Sequence, residues 1–193
     1  MKTSKLDIHR WFPTTIGVVD YIDFDSKKYK PLLLENRFNI HKDENFSTLT
    51  NWITNHVNEY AKEHKFVYEY VPKESFSVRY KVGDVQNYHP HNGFHISAVF
   101  YVEGYEDDTP IMFKSPYFVD SVAPQGIEIH DGELEQNIQT TNPDKYNPYT
   151  FPTCQYPPST GRLLIFRSYL EHAVLKKTND KERISLGYNF LPR

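Results

Sequence analysis

Three histidines fall within seven residues, His89-Pro90-His91-Asn92-Gly93-Phe94-His95. In an extended segment alternate side chains share a face, so His89 and His91 can point the same way. Two imidazoles so placed can share one borderline-hard divalent cation. Histidines near a turn also serve as packing or surface groups, so this run alone leaves both readings open. A second feature lies toward the C-terminus. The run Leu170-Glu171-His172-Ala173-Val174 is followed, after a Lys/Asn/Asp turn, by Arg183-Ile184-Ser185-Leu186-Gly187-Tyr188-Asn189-Phe190. In a strand, Ile184, Leu186, Tyr188 and Phe190 form one apolar face, and Arg183, Ser185, Gly187 and Asn189 form the other. That second face either meets water or lines a polar cavity. Inside a closed barrel, an arginine with a hydroxyl two residues on would hold a carboxylate by paired, charge-assisted hydrogen bonds.

Positioning such groups takes strands, and the composition favours them. Aromatics make up 16% of the 193 residues, with 15 tyrosines and 13 prolines beside 8 glycines, a balance that suits β-strands joined by ordered loops. The length suits one domain over residues 1–193, large enough to bury roughly 70% of its unfolded surface without disulfides. Phe76, Val78, Tyr80 and Val82 alternate with Ser75, Ser77, Arg79 and Lys81, and Ile96, Ala98, Phe100 and Val102 alternate with His95, Ser97, Val99 and Tyr101. Both patterns are those of half-buried strands, which would leave Ser75 and Ser77 on the solvated side. Further short strands are expected at Ile111–Phe113, Arg162–Phe166, near His172 and over Arg183–Phe190. Before them, Leu49, Trp52, Ile53, Val57, Tyr60 and Ala61 recur at helical spacing behind an N-cap at Ser47 or Thr48. The apolar runs Ile16–Val19 and Leu32–Leu34 predict a strand or two. A helix followed by many short strands reads as α+β, mainly β, a sandwich or open barrel with a packing helix. N-terminal strands and helix occupy about 1–70 and the core about 75–190. Residues 117–158 show neither period and carry six prolines and the acidic group Asp131, Glu133 and Glu135. A structureless stretch beyond about 15 residues is uncommon unless it serves a site, so this insertion is either a surface excursion or a lid.

Several functions are excluded or disfavoured. The 22 Lys and Arg against 25 Asp and Glu leave a net charge of -3, which argues against a nucleic-acid partner bound by bulk positive charge. The run Ile96–Val102 is far shorter than the roughly 20 residues a membrane helix needs. One cysteine, Cys154, allows no internal disulfide and no cysteine zinc site. With no apolar stretch of signal-peptide length at the start, the expected compartment is the cytoplasm, the host's if the chain is viral.

Taken together, the His pair, a histidine about 80 residues on, and an arginine about ten residues later with Ser two further resemble the order in Fe(II)/2-oxoglutarate-dependent oxygenases. The resemblance is strongest to a branch common in marine phages and bacteria, which reads His-x-His, five variable residues, then Ser-Gly-Val-Tyr-Tyr. Here His89-Pro90-His91 precedes Ser97-Ala98-Val99-Phe100-Tyr101. That branch also carries Phe-x-x-Pro and Gly-x-Leu-x-x-Phe, matched by Phe113-Lys114-Ser115-Pro116 and Gly161-Arg162-Leu163-Leu164-Ile165-Phe166. The resemblance spans about 75–190. It implies a double-stranded β-helix, or jelly roll, with Fe(II), 2-oxoglutarate and O2. It implies that His89 or His91, or both, bind iron with His172, and that Arg183 with Ser185 holds the far carboxylate of 2-oxoglutarate. Tyr80 or Tyr101, placed by alternation, would add a hydrogen bond to it. The implied reaction is hydroxylation of an unidentified small molecule or protein side chain, with release of succinate and CO2.

One departure is clear. Most of the superfamily places Asp or Glu where His91 stands. Three neutral imidazoles can hold Fe(II) with one more positive charge on the site. Alternatively, one of the pair ligates and the other hydrogen-bonds behind it, or the barrel persists as a catalytically silent binding or structural module, such as a phage accessory protein. His95 is expected to cap the pocket or pack. His9, His41, His56, His64 and His130 read as structural or surface groups, and nothing around Cys154 suggests a nucleophile.

Overall fold

The structure, a computed structural model, describes residues 14–117 and 153–193. Among the described residues, nine strands form two antiparallel sheets. The larger sheet runs β1 (Ile16–Asp20), β7 (Arg162–Arg167), β4 (Ile96–Glu103), β9 (Arg183–Pro192), β2 (Tyr70–Tyr80); the smaller runs β3 (Gln86–His89), β8 (His172–Val174), β5 (Ile111–Lys114), β6 (Thr153–Tyr156). This is the jelly roll anticipated from the sequence, mainly β with few helices.

Period-2 alternation builds two cores from the larger sheet. On its outer face, Ile96, Phe100, Leu163, Ile165, Ile184, Leu186, Tyr188 and Phe190 are buried against Leu49, Ile53, Val57 and Ala61 of helix α2 (Ser47–Glu63). A shorter helix, α1 (Ser26–Tyr29), adds Tyr29 to the same cluster. On the inner face, Tyr80, Tyr101, Leu164 and Phe166 pack toward Ile111, Phe113 and Val174 of the smaller sheet. The two sheets approach each other through side chains, and the gap between them is where a site can lie.

Four local expectations change. Ser47 begins α2 rather than capping it; Phe46 holds the cap position, and Asp43 instead caps the preceding 3-10 turn by accepting from the Asn45 backbone N–H. Leu32 and Leu33 belong to a 3-10 turn, Lys30–Leu33, because Pro31 cannot donate to a sheet ladder. β2 ends at Tyr80, so Val82 lies outside the strand and is exposed; Gly83, at φ +92°, turns the chain. Ser75 and Ser77 are buried rather than solvated, since they accept from the backbone N–H groups of His41 and Arg37 in a strap laid across β2.

Thr153–Tyr156 pairs with β5, which narrows the aperiodic stretch at its C-terminal end. Residues 118–152 of the proposed lid, with the acidic group at 131–135 and His130, and His9 lie outside the described residues. Among the described residues, no helix is long and apolar enough to cross a membrane.

Ile53 is fully buried between α2 and the larger sheet. Ile53→Ala should cost about 2–5 kcal/mol, read as a lower urea midpoint; an unchanged midpoint would mean that α2 does not seal this face.

Candidate metal centre

His89 closes β3 and His172 opens β8, and the two are direct cross-strand partners. The turn after β3 then brings His91 round, pinned by its backbone N–H donating to the Ser168 carbonyl at 2.8 Å. Ring centroids lie 4.4 Å apart for His89 and His172, 5.1 Å for His91 and His172, and 5.2 Å for His89 and His91. One potential ligand atom from each lies within 4.8 Å of the other two, a group of imidazoles that a single cation can gather.

Ring orientation is set from behind. His172 donates from Nδ1 to the Leu170 carbonyl at 3.0 Å, and His89 from Nδ1 to the Asn87 carbonyl at 2.8 Å. A carbonyl only accepts, so in both rings the proton sits on Nδ1 and the Nε2 lone pair is left for a ligand. His91 is held differently, its Nδ1 facing the Asn189 amide nitrogen at 3.3 Å. That amide donates to Glu74 at 2.6 Å and accepts from the Ser97 hydroxyl at 2.7 Å, which in turn meets Ser168 at 2.8 Å. Burial, reinforced by neighbouring imidazoles, pushes His91 and His172 down to about 4. Both are therefore neutral near pH 7, as metal ligation requires.

Arg183 sits at the head of β9 with 1% of its surface exposed. Its Nη1 donates to the Thr109 carbonyl at 2.5 Å, and its guanidinium carbon lies 4.1 Å from the centre of the Tyr80 ring. Its Nε and Nη2 are buried without a hydrogen-bond partner. Unpaired buried donors of a charged group are costly, so this geometry awaits an acceptor. Asp108 and Lys177 are buried alongside, paired at 2.8 Å.

All seven residues singled out from the sequence, Tyr80, His89, His91, Tyr101, His172, Arg183 and Ser185, line one cavity between the sheets. Apolar walls come from Phe76, Val78, Val99, Ile111 and Val174. Burial raises the phenols of Tyr80 and Tyr101, so both keep their protons beside the guanidinium. Phe76 packs its ring directly over Gly187, leaving 2.5 Å where a Cβ would stand. His95 is exposed and packs near Tyr70 rather than lining the cavity. His41, His56 and His64 bond Ser75, Glu59 and Thr15, as structural groups do. Burial lifts the Cys154 thiol to about 11, the opposite of nucleophile activation.

Sequence reasoning passed over Asp108, Lys177 and the Glu74–Asn189–Ser97–Ser168 chain. Asn189 had a visible signal, its place on the inward face of β9. Asp108 and Lys177 had none, because they meet across 69 residues from two loops.

Imidazoles at about 4 in the folded state and near 6.5 unfolded bind fewer protons when folded. Stability of the metal-free protein should thus be full above about pH 6.5 and fall as pH drops toward 4. Thermal melts at pH 7 and pH 5 should show that loss, and His172→Asn should shrink it, leaving the part due to His91. An equal slope in the variant would contradict a buried neutral imidazole.

The comparisons with known proteins bear on the fold and the family. Residues 74–189 match the family model described as "Putative 2OG-Fe(II) oxygenase". No curated protein matches the chain in sequence. Among solved structures, the α-ketoglutarate-dependent epimerase SnoN from nogalamycin biosynthesis aligns with TM-score 0.62 and 9% identity, over 93% of this chain and 77% of that one. HygX from Streptomyces hygroscopicus, with nickel, 2-oxoglutarate and hygromycin B bound, aligns with TM-score 0.57 and 12% identity, over 93% and 83%. A prolyl-4-hydroxylase from Pseudomonas putida aligns with TM-score 0.56 and 13% identity, over 93% and 94%. At such identities the structures establish the fold, and the family match establishes descent. The chain belongs to the 2OG-Fe(II) oxygenases, a family that works with Fe(II), 2-oxoglutarate and O2.

Proposed function

We propose that the protein is a working oxygenase of the hydroxylase type, with His89, His91 and His172 holding iron and Arg183 with Ser185 holding the distal carboxylate of 2-oxoglutarate. The carrying observation is the convergence on one cavity of three inward imidazoles and a buried guanidinium with two unpartnered N–H groups. The residues present fit the groups the family uses. Neutral imidazoles suit Fe(II), and the orphaned Nε and Nη2 form the fork that a carboxylate accepts in bidentate fashion.

When bound, iron with 2-oxoglutarate and O2 supplies the oxidising power that yields succinate and CO2 and functionalises a substrate C–H bond. The chain's own work is placement. Carbonyls of Asn87 and Leu170 keep two ring protons on Nδ1, so those imidazoles meet the ion without releasing protons. Tyr80 lies under the guanidinium and fixes its plane. Tyr80 and Tyr101 present protonated phenols as further donors to the bound acid. Val78, Val99, Ile111 and Val174 keep that end of the cavity apolar, which strengthens each charged contact. With no carboxylate among the three imidazoles, the ion's charge is balanced by the keto acid itself, so affinity for metal and co-substrate should be mutually reinforcing.

A prolyl-4-hydroxylase among the structural neighbours supports the hydroxylase assignment. The substrate is a small molecule or a protein side chain handled in the cytoplasm.

His172→Ala should reduce Fe(II)-dependent succinate formation from 2-oxoglutarate to background. Arg183→Ala should raise the half-saturating 2-oxoglutarate concentration by about tenfold or more, with turnover recovered at high concentration. Succinate formation by His172→Ala at the wild-type rate would sink the assignment and favour a catalytically silent module. With a turned-over substrate, mass spectrometry should show the gain of one oxygen atom.

A further inference from the structure

Behind Arg183 lies a buried ion pair, Asp108 with Lys177, that the proposed reaction does not use. Asp108, Lys177 and Arg183 have side chains 0%, 0% and 1% exposed. Asp108 Oδ1 accepts from Lys177 Nζ at 2.8 Å and from the Thr109 backbone N–H at 2.8 Å. Its Oδ2 has no hydrogen-bond partner and stands 3.9 Å from Arg183 Nη1. Lys177 is held in turn by a short hydrogen bond to Asn179, while its backbone N–H donates to the Asp84 carbonyl at 2.9 Å.

Fully buried lysine and aspartate are uncommon unless paired, and such pairs often contribute little net stability. This pair makes sense through what it does to Arg183. Without Lys177, the nearest counterion of Asp108 would be Arg183. Asp108 Oδ2 already stands 3.9 Å from Nη1, so an Asp108 relieved of Lys177 would be drawn onto the guanidinium and cancel the charge that a carboxylate in the cavity would meet. With Lys177 in place, Asp108 is already neutralised and Arg183 keeps Nε and Nη2 free. Two buried cations against one buried carboxylate leave the cluster one positive charge in excess. A carboxylate entering the cavity brings it to neutrality.

Resting on the reading that Arg183 receives a carboxylate, we propose that Lys177 is a positioning residue that sequesters Asp108 and thereby keeps the Arg183 charge available to that carboxylate. Its effect is on binding of that distal group and not on the imidazoles.

The test is calorimetric titration of the Mn(II)-loaded protein with 2-oxoglutarate. Oxalate, which can chelate the metal but lacks a distal carboxylate, serves as the control. Lys177→Met should weaken 2-oxoglutarate by about tenfold or more and leave the affinities for Mn(II) and oxalate unchanged. The double variant Lys177→Met/Asp108→Asn should return 2-oxoglutarate affinity to near wild type, since it removes the competing anion along with its partner. Replacing both members of a buried pair by neutral groups is commonly tolerated, so the double variant stays informative if Lys177→Met does not fold. Affinity in the double variant as low as in Arg183→Met would overturn the proposal. So would wild-type affinity in a folded Lys177→Met. Arg183→Met separates the two readings: if it binds 2-oxoglutarate as tightly as wild type, the role of Arg183 fails and this inference fails with it. Loss in Arg183→Met without loss in Lys177→Met overturns this inference alone.

Discussion

The alternation of β9 is the constraint on which the molecule turns. One strand must satisfy two incompatible environments, an apolar layer under α2 and a polar cavity between the sheets. It does so because successive side chains leave the backbone on opposite sides. Ile184, Leu186, Tyr188 and Phe190 are committed to the helix-covered core. That commitment leaves Arg183, Ser185, Gly187 and Asn189 facing inward. A slip of one residue in register would bury the guanidinium under α2 and present isoleucine to the cavity. The pairing of β9 with β2 and β4 along most of its length guards against that slip, so the site is specified by the same interactions that make the sheet.

The cavity has two ends with different electrostatic character. At one, three imidazoles are oriented by carbonyls and an amide, and burial keeps His91 and His172 neutral. At the other, positive charge is concentrated and only partly answered by Asp108. A ligand that chelates a cation and ends in a carboxylate suits both ends at once. The arrangement gives orientation as well as affinity, because the ligand's two ends are not interchangeable.

Much of this was legible in the chain. The β9 and β4 alternations are long and strict, and the spacing of α2 is equally regular, so these elements appeared where expected. The seven candidate residues, which line one cavity, were picked out by the same alternation together with the family resemblance in the order of histidines and arginine. What escaped had no local signal. Ser75 and Ser77 read as solvent-facing because a strap that buries them makes no periodic pattern. Thr153–Tyr156 joins a sheet only through β5, and its four residues are too few to show a period. The partnership of Asp108 with Lys177 is a meeting of loops that the two sheets bring together.

The aromatic ring of Phe76, its far end against Gly187, closes off one route of adaptation. Since a Cβ at Gly187 would overlap that ring, this point of the chamber wall cannot take a side chain unless Phe76 moves. Divergence in what such a protein accepts must then arise from the opposite wall and the rim, where β3, β5 and the loops between strands can vary while this point stays fixed.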